Sequence, residues 1–124
     1  MAIILVIKIP KALDNAVDTA VKQNQKFAHA YNTCEIQLEA ERYSSALTCF
    51  RDLLQQYDRN DIRYNYAVCL ANTQKFEEAK KELNYIIETE KNNPQLVEVS
   101  KNLISQIDEL LLKIKKIKEK QLAK

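Results

Sequence analysis

The side chains best suited to chemistry in this sequence are one histidine and three cysteines. A cysteine nucleophile needs a histidine base nearby, and a structural zinc site needs closely spaced pairs of ligands. His29 has no obvious nucleophile beside it, and Cys34, Cys49 and Cys69 are too widely spaced for a zinc site. We therefore predict packing roles for the cysteines, a surface or core position for His29, and no enzyme activity, metal or cofactor.

The cysteines also bear on the cellular compartment. Three is an odd number, and the apolar run 2–7 lacks the charged start and the small-residue cleavage site of a secretory signal. That run is also too short to span a bilayer. We therefore expect reduced thiols and a cytoplasmic location.

The composition favours a helical protein. The 124 residues include no glycine and only two prolines, whereas phosphate-binding loops, dinucleotide-binding fingerprints and nucleophile elbows all need glycine. Leu, Ile, Ala, Lys, Glu, Gln and Asn dominate, which indicates an all-α fold. The 19 basic and 17 acidic residues give a net charge of +2, which argues against a nucleic-acid-binding protein.

An internal repeat is found when the sequence is offset by 33 residues. The aligned pairs are Tyr31 with Tyr64, Asn32 with Asn65, Cys34 with Ala67, Tyr43 with Phe76, Ala46 with Ala79, and Phe50 with Leu83. Two units result, at about 27–59 and 60–92, and the spacing of their apolar residues predicts two helices in each. The predicted helices are 27–40, 44–57, 61–73 and 76–89.

This unit of two helices resembles the tetratricopeptide repeat family, and the sequence Phe76-Glu77-Glu78-Ala79 before an apolar helix is especially typical of it. The resemblance implies a right-handed α-solenoid of antiparallel helix pairs that binds other proteins. The sequence departs from the family at three points. The usual pair of small residues is eroded, the turns between helices lack glycine, and no proline follows Tyr57.

The chain before the first unit also resembles part of a repeat. Ala12 and Leu13 lie 34 residues before Ala46 and Leu47, so the predicted helix 11–24 looks like the second helix of a preceding repeat. The apolar segment 1–10 is rich in β-branched residues, which suit a helix poorly. Two alternatives stay open: the domain comes from a longer array, or this segment packs in its own way and folds back into the groove as a pseudo-ligand.

The resemblance also implies a binding surface, because the first helices of repeats in this family line a concave groove that binds a peptide or helix. The matching positions are Ala28, Tyr31, Asn32, Glu35, Leu38, Asp61, Tyr64, Asn65, Val68 and Asn72. The alternative is that the tyrosines and asparagines among them are consensus residues that serve packing. The carboxylate clamp of some co-chaperone members is not expected, since only Asn65 fits it and the acidic Glu35 stands at a matching position.

Residues 94–124 are predicted to form one long capping helix with a basic amphipathic end. From Leu103 to Ile117 the apolar residues follow heptad-like spacing, which predicts an interface beyond the second repeat. Its residues are Leu110, Leu111, Ile114 and Ile117. Lysines surround them, and three alternatives stay open: a solvated helix end, helix–helix assembly that includes self-association, and contact with an anionic membrane surface.

These features together predict a non-enzymatic adaptor that binds a peptide or helix of a partner protein in its concave groove. The alternative is a structural subunit of a larger multiprotein assembly, docked through the C-terminal helix and the repeats. Neither hypothesis calls for a nucleic acid or a cofactor.

Overall fold

Five α-helices make up the part of the chain that the computed structural model describes, residues 25–123. They are α1 (Gln25–Glu39), α2 (Tyr43–Gln56), α3 (Asn60–Asn72), α4 (Phe76–Thr89) and α5 (Pro94–Leu122). Each helix begins and ends within two residues of its predicted bounds. The predicted helix 11–24 and the apolar segment 1–10 lie outside the described residues.

Neighbouring helices in the sequence are also neighbours in space. Each helix makes its main contacts with the next one along the chain, and α3 also contacts α5. No strand occurs among residues 25–123. The predicted all-α, helical-repeat solenoid is therefore the observed fold.

Small residues allow the helices of each repeat to approach closely. Ala46 in α2 and Ala79 in α4 are fully buried, as are Phe50 and Leu83 one turn further along the same helices. A methyl group at the point of closest approach keeps the interior dense, and the larger side chain fills the space beside it. The core is thus built on the same 33-residue interval as the sequence.

The turns inside the two repeats have the same backbone conformation. Glu41 and Gln74, 33 residues apart, are the two described residues with positive φ, at 59° and 67°. In each turn the residue after the one with positive φ donates its backbone N–H group to the carbonyl oxygen five residues earlier. Arg42 donates to Gln37 at 3.0 Å, and Lys75 donates to Leu70 at 2.8 Å. This is the helix ending in which glycine is usual, and here non-glycine residues form it.

Two asparagines stabilise helix ends at the junctions between repeats. Asn60 Nδ2, at the start of α3, donates to Glu90 Oε2 at 3.0 Å and so connects this helix to the residue that follows α4. Asn93 caps α5, because its side-chain oxygen accepts from the N–H group of Leu96 at 3.1 Å. Pro94 follows at the first helical position, where no N–H donor is needed.

Candidate protein-binding surfaces

The ten predicted groove residues divide evenly between buried and accessible positions. The buried ones are Tyr31, Leu38, Tyr64, Asn65 and Val68, all members of the core. The others are Ala28, Glu35, Asp61 and Asn72, which are partly exposed, and Asn32, which is exposed. The expectation of ten surface positions is corrected for the buried five, because neighbouring helices cover them. A partner that contacts this surface reaches the second set.

A hydrogen bond between the repeats accounts for two of the buried positions. Asn65 Nδ2 in α3 donates to the Tyr31 hydroxyl in α1. The Tyr31 ring also stands edge-on to Phe50, with ring centres 5.9 Å apart. Buried polar groups need such partners, so the packing interpretation of these consensus residues applies to this pair.

Two carboxamide oxygens of α3 have no hydrogen-bond partner within the described part of the chain. They are Oδ1 of Asn65 and Oδ1 of Asn72, and both are buried. The residues are seven positions apart, which puts them on one face of the helix. A buried acceptor without a donor carries a cost in free energy. Asn65 is covered by neighbouring helices, whereas Asn72 is partly exposed, so Asn72 is the one of the two residues that an external N–H group could approach.

The cysteines differ from the expectation. Cys34 in α1 and Cys49 in α2 form a disulfide, with Cα atoms 5.3 Å apart, so the prediction of reduced thiols is wrong for these two. The reason is the turn between the helices. Cys34 precedes Glu41 by seven residues and Cys49 follows Arg42 by seven, and the antiparallel helices bring such positions together.

The third cysteine behaves as the predicted packing residue. Cys69 is a free, fully buried thiol in α3. Burial raises the pKa of this thiol to about 12. Since the thiolate is the reactive form, Cys69 is an inert side chain of the core.

The single histidine lies on the surface, one of the two positions predicted for it. His29 is exposed on α1. Among residues 25–123, no group of three or more His, Cys, Asp or Glu side chains could hold a metal ion.

A charged cluster that sequence analysis did not identify joins α3 to α4. The Arg63 guanidinium donates to Asp58 at 2.7 Å, to Asn60 at 2.6 Å and to Glu82 at 3.1 Å. It also lies over the Tyr85 ring, 4.3 Å from its centre. A polar cleft of about 480 Å³ lies beside this cluster. Because acceptors of the chain itself surround the guanidinium, we assign the cluster a structural role.

The long helix α5 extends past the helix on which it packs. Lys80 Nζ in α4 is 2.7 Å from Asp108 Oδ1 in α5, and α4 begins only four residues before Lys80, at Phe76. The two helices are antiparallel, and four residues of helix rise about 6 Å, so the start of α4 lies beside the region of residue 112. Residues 113–122 project about 15 Å further.

One face of α5 continues from the core into this projecting part. Its buried residues are Leu96, Ser100, Leu103 and Ile107. The same spacing of three and four residues then brings Leu110, Ile114 and Ile117 onto that face, with Leu111 at its edge. Leu110, Leu111 and Ile114 are partly exposed, and Ile117 is 39% exposed. We call these four residues the distal seam, which coincides with the interface predicted from the sequence.

The surroundings of the distal seam are basic. Within the described residues after 112, five lysines are exposed, namely Lys113, Lys115, Lys116, Lys118 and Lys120, and Glu119 is the single acidic residue among them. Two further apolar residues, Leu112 and Leu122, are 53% and 87% exposed and lie away from the seam. The projecting part of α5 therefore combines one apolar stripe with a strongly positive border.

No helix among residues 25–123 has the length and apolar character needed to cross a membrane.

Comparison with known families agrees with the helix pairs. No curated protein and no solved structure matches the chain. The family model described as tetratricopeptide repeat matches residues 37–103, which are 67 of the 124 residues. Such repeats generally mediate contacts between proteins. With more than half of its length matched, the chain belongs to the tetratricopeptide repeat family.

Proposed function

We propose that this chain is a non-enzymatic protein-interaction module that docks a helix of a partner protein on the distal seam of α5. The observation that carries the proposal is the continuity of one apolar face. Its first half is buried against the chain's own helices, and Leu111 still packs against the edge of the core, whereas Ile114 and Ile117 keep the same spacing and are not among the described residues packed on the core. This proposal takes the non-enzymatic interaction module from the first hypothesis drawn from the sequence, and it takes docking through the C-terminal helix from the second.

The physical reason is the nature of helical-repeat folds. Each helix pair buries its apolar face against the next unit, and the last face must be covered by a polar cap or by another molecule. The distal seam presents leucine and isoleucine rather than polar residues. Burying one such side chain contributes about 1.5–3 kcal/mol, so Ile114 and Ile117 together support a contact with a second helix.

The experiment compares two double variants in quantitative affinity capture. In the seam variant, Ile114→Ser/Ile117→Ser, the apolar stripe is removed. In the control variant, Leu112→Ser/Leu122→Ser, two exposed apolar side chains of the same helix are removed away from the seam. Both keep the net charge, and circular dichroism verifies that both keep the helical content.

We expect a partner that the wild type and the control variant recover and the seam variant loses. Calorimetry with that purified partner then gives the affinity of each variant. Equal recovery by both double variants would contradict docking on the distal seam.

The concave groove is a second candidate, favoured by the unpaired acceptor of Asn72, a partly exposed residue of α3. An extended peptide carries backbone N–H groups, one of which could donate to Asn72 Oδ1. The variant Asn72→Ala would weaken such a complex, while Asn84→Ala, which changes an exposed asparagine of α4, would not. Binding that is insensitive to Asn72→Ala and lost with the seam variant would assign the function to α5 alone.

A further inference from the structure

We propose that the helix docked on the distal seam is acidic, with glutamate or aspartate side chains on both borders of its own apolar stripe. This inference rests on the proposed function and adds the chemistry of the partner. The observation behind it is the placement of the lysines relative to the seam, rather than their number.

Two groups of lysines can be told apart by their positions in the heptad. Lys113 directly precedes Ile114, Lys118 directly follows Ile117, and Lys120 precedes Gln121, the next position of the heptad after the distal seam. These are the positions that border a helix–helix contact and face charged residues of the partner. Lys115 and Lys116 lie further around the helix, towards solvent.

Among residues 25–123, the bordering lysines form no ion pair with an acidic side chain. The ion pairs of the described residues join other side chains, and Lys80 with Asp108 is the pair nearest to the projecting part of α5. Glu119 is on the outer surface, opposite the seam. Both borders of the distal seam are therefore positive and unneutralised, and an acidic helix would supply the opposite charge on each side.

A second copy of this chain is a poor occupant for the same reason. If two distal seams packed together, lysine would face lysine along both borders in either relative orientation of the helices. Like charges at those positions destabilise the pair and select against it. The charge pattern thus favours a different chain over self-association.

An anionic membrane is also less favoured than a helix. The distal seam continues a face that already packs against a helix, and no aromatic residue follows Tyr85 in the sequence. Helices that lie in the membrane interface usually contain tryptophan or phenylalanine on the apolar face. Vesicle binding is accordingly one of the outcomes that the experiment tests.

The experiment uses the full chain and two synthetic helical peptides of about three heptads. Both carry leucine and isoleucine at the core positions. One has glutamate and the other has lysine at all bordering positions. Fluorescence anisotropy measures the affinity of each peptide, and we expect the glutamate peptide to bind about tenfold more tightly than the lysine peptide. We expect this difference to be lost at 1 M salt, because charges are then screened beyond about 3 Å.

A matched pair of variants tests the position of the charge. Lys113→Glu/Lys118→Glu reverses the borders, whereas Lys115→Glu/Lys116→Glu makes the same change in net charge on the outer surface. We expect the first variant to prefer the lysine peptide and the second to keep the preference of the wild type. Equal effects of the two variants would overturn the proposal, because they would show an attraction to charge in general.

The outcomes also distinguish this inference from the proposed function. If both peptides bind equally and Ile114→Ser/Ile117→Ser abolishes both, the distal seam docks a helix but the acidic partner is wrong. If neither peptide binds, or if the seam variant has no effect, docking on the seam itself fails. The proposal of an acidic partner helix would also be overturned if the protein bound phosphatidylserine vesicles and neither peptide. It would likewise be overturned if analytical ultracentrifugation showed a dimer.

Discussion

Glu41 and Gln74 adopt the same left-handed backbone conformation at equivalent points of two successive repeats. Each ends the first helix of its repeat and allows the second helix to return antiparallel. A residue with a Cβ atom pays about 1–2 kcal/mol for this conformation, which glycine adopts freely. The turn is therefore fixed by the helices on both sides of it and not by the preference of the residue at its centre.

Replacing either residue with glycine should stabilise the protein. We expect Glu41→Gly and Gln74→Gly each to raise the free energy of unfolding by about 0.5–1 kcal/mol, because the relief of strain exceeds the extra entropy of the unfolded chain. Chemical denaturation measures the change. As a control, Gln55→Gly in the exposed part of α2 should lower stability by about 0.5–1 kcal/mol. Destabilisation by all three variants would show that the turns carry no strain.

The disulfide should contribute measurably to stability. Cys34 and Cys49 close a loop with a sequence separation of 15, and a loop of that size corresponds to about 3 kcal/mol. We expect Cys34→Ser/Cys49→Ser, or reduction of the wild type, to lower the free energy of unfolding by about that amount. Alkylation of the denatured, non-reduced protein followed by mass spectrometry should modify one thiol. Modification of three would rule out the disulfide.

Much of the fold could be predicted from the sequence because it follows from local patterns. The spacing of apolar residues located all five described helices, and the aligned pair Ala46 and Ala79 is fully buried in the structure. These signals depend on a few neighbouring residues and on one repeat interval. They do not depend on how helices distant in the sequence cover one another.

The cysteine pair and the groove show where that approach fails. Pairing Cys34 with Cys49 required counting outwards from the turn at Glu41 and Arg42, a signal that was present but that the odd number of cysteines obscured. The burial of Tyr31 and Asn65 depends on a hydrogen bond between two repeats. A tyrosine at a consensus position is compatible with a core or with a binding surface, and only the packing distinguishes them.

The buried thiol of α3 predicts a specific alkaline effect. The pKa of Cys69 is raised to about 12 in the folded protein from the usual 9.0, so the unfolded chain loses this proton first. The stabilising contribution is complete below pH 9 and is lost as the pH rises towards 12. Between these values the wild type should lose about 1.4 kcal/mol per pH unit more than Cys69→Ala. Parallel pH profiles for the two proteins would contradict the burial of the thiol.

The Arg63 cluster should matter more for stability than an exposed ion pair. Its side chain is only 11% exposed, and it joins Asp58 and Glu82. We expect Arg63→Ala to lower the free energy of unfolding by about 2 kcal/mol, because the partly buried Glu82 carboxylate and Asn60 side-chain oxygen lose this donor, whereas Asp58 is exposed to water. Arg51→Ala, which removes an exposed pair with Asp52, should change it by less than about 0.5 kcal/mol. Similar changes in the free energy of unfolding for the two variants would contradict the structural role assigned to the cluster.

Shortening α5 separates the part of the helix that stabilises the fold from the part assigned to docking. A chain that ends at Leu112 keeps the buried residues Leu103 and Ile107 and loses Ile114 and Ile117, on which no described helix packs. We expect its free energy of unfolding to differ from that of the whole chain by less than about 0.5 kcal/mol, as for surface changes in general.

A chain that ends at Lys101 loses Leu103 and Ile107 and should be destabilised by several kcal/mol, since truncating one buried leucine or isoleucine already costs about 2–5 kcal/mol. Urea denaturation of the three proteins measures both effects. If the chain ending at Leu112 were as unstable as the shorter one, Ile114 and Ile117 would be part of the core of this protein, and these two residues would need no partner to explain them.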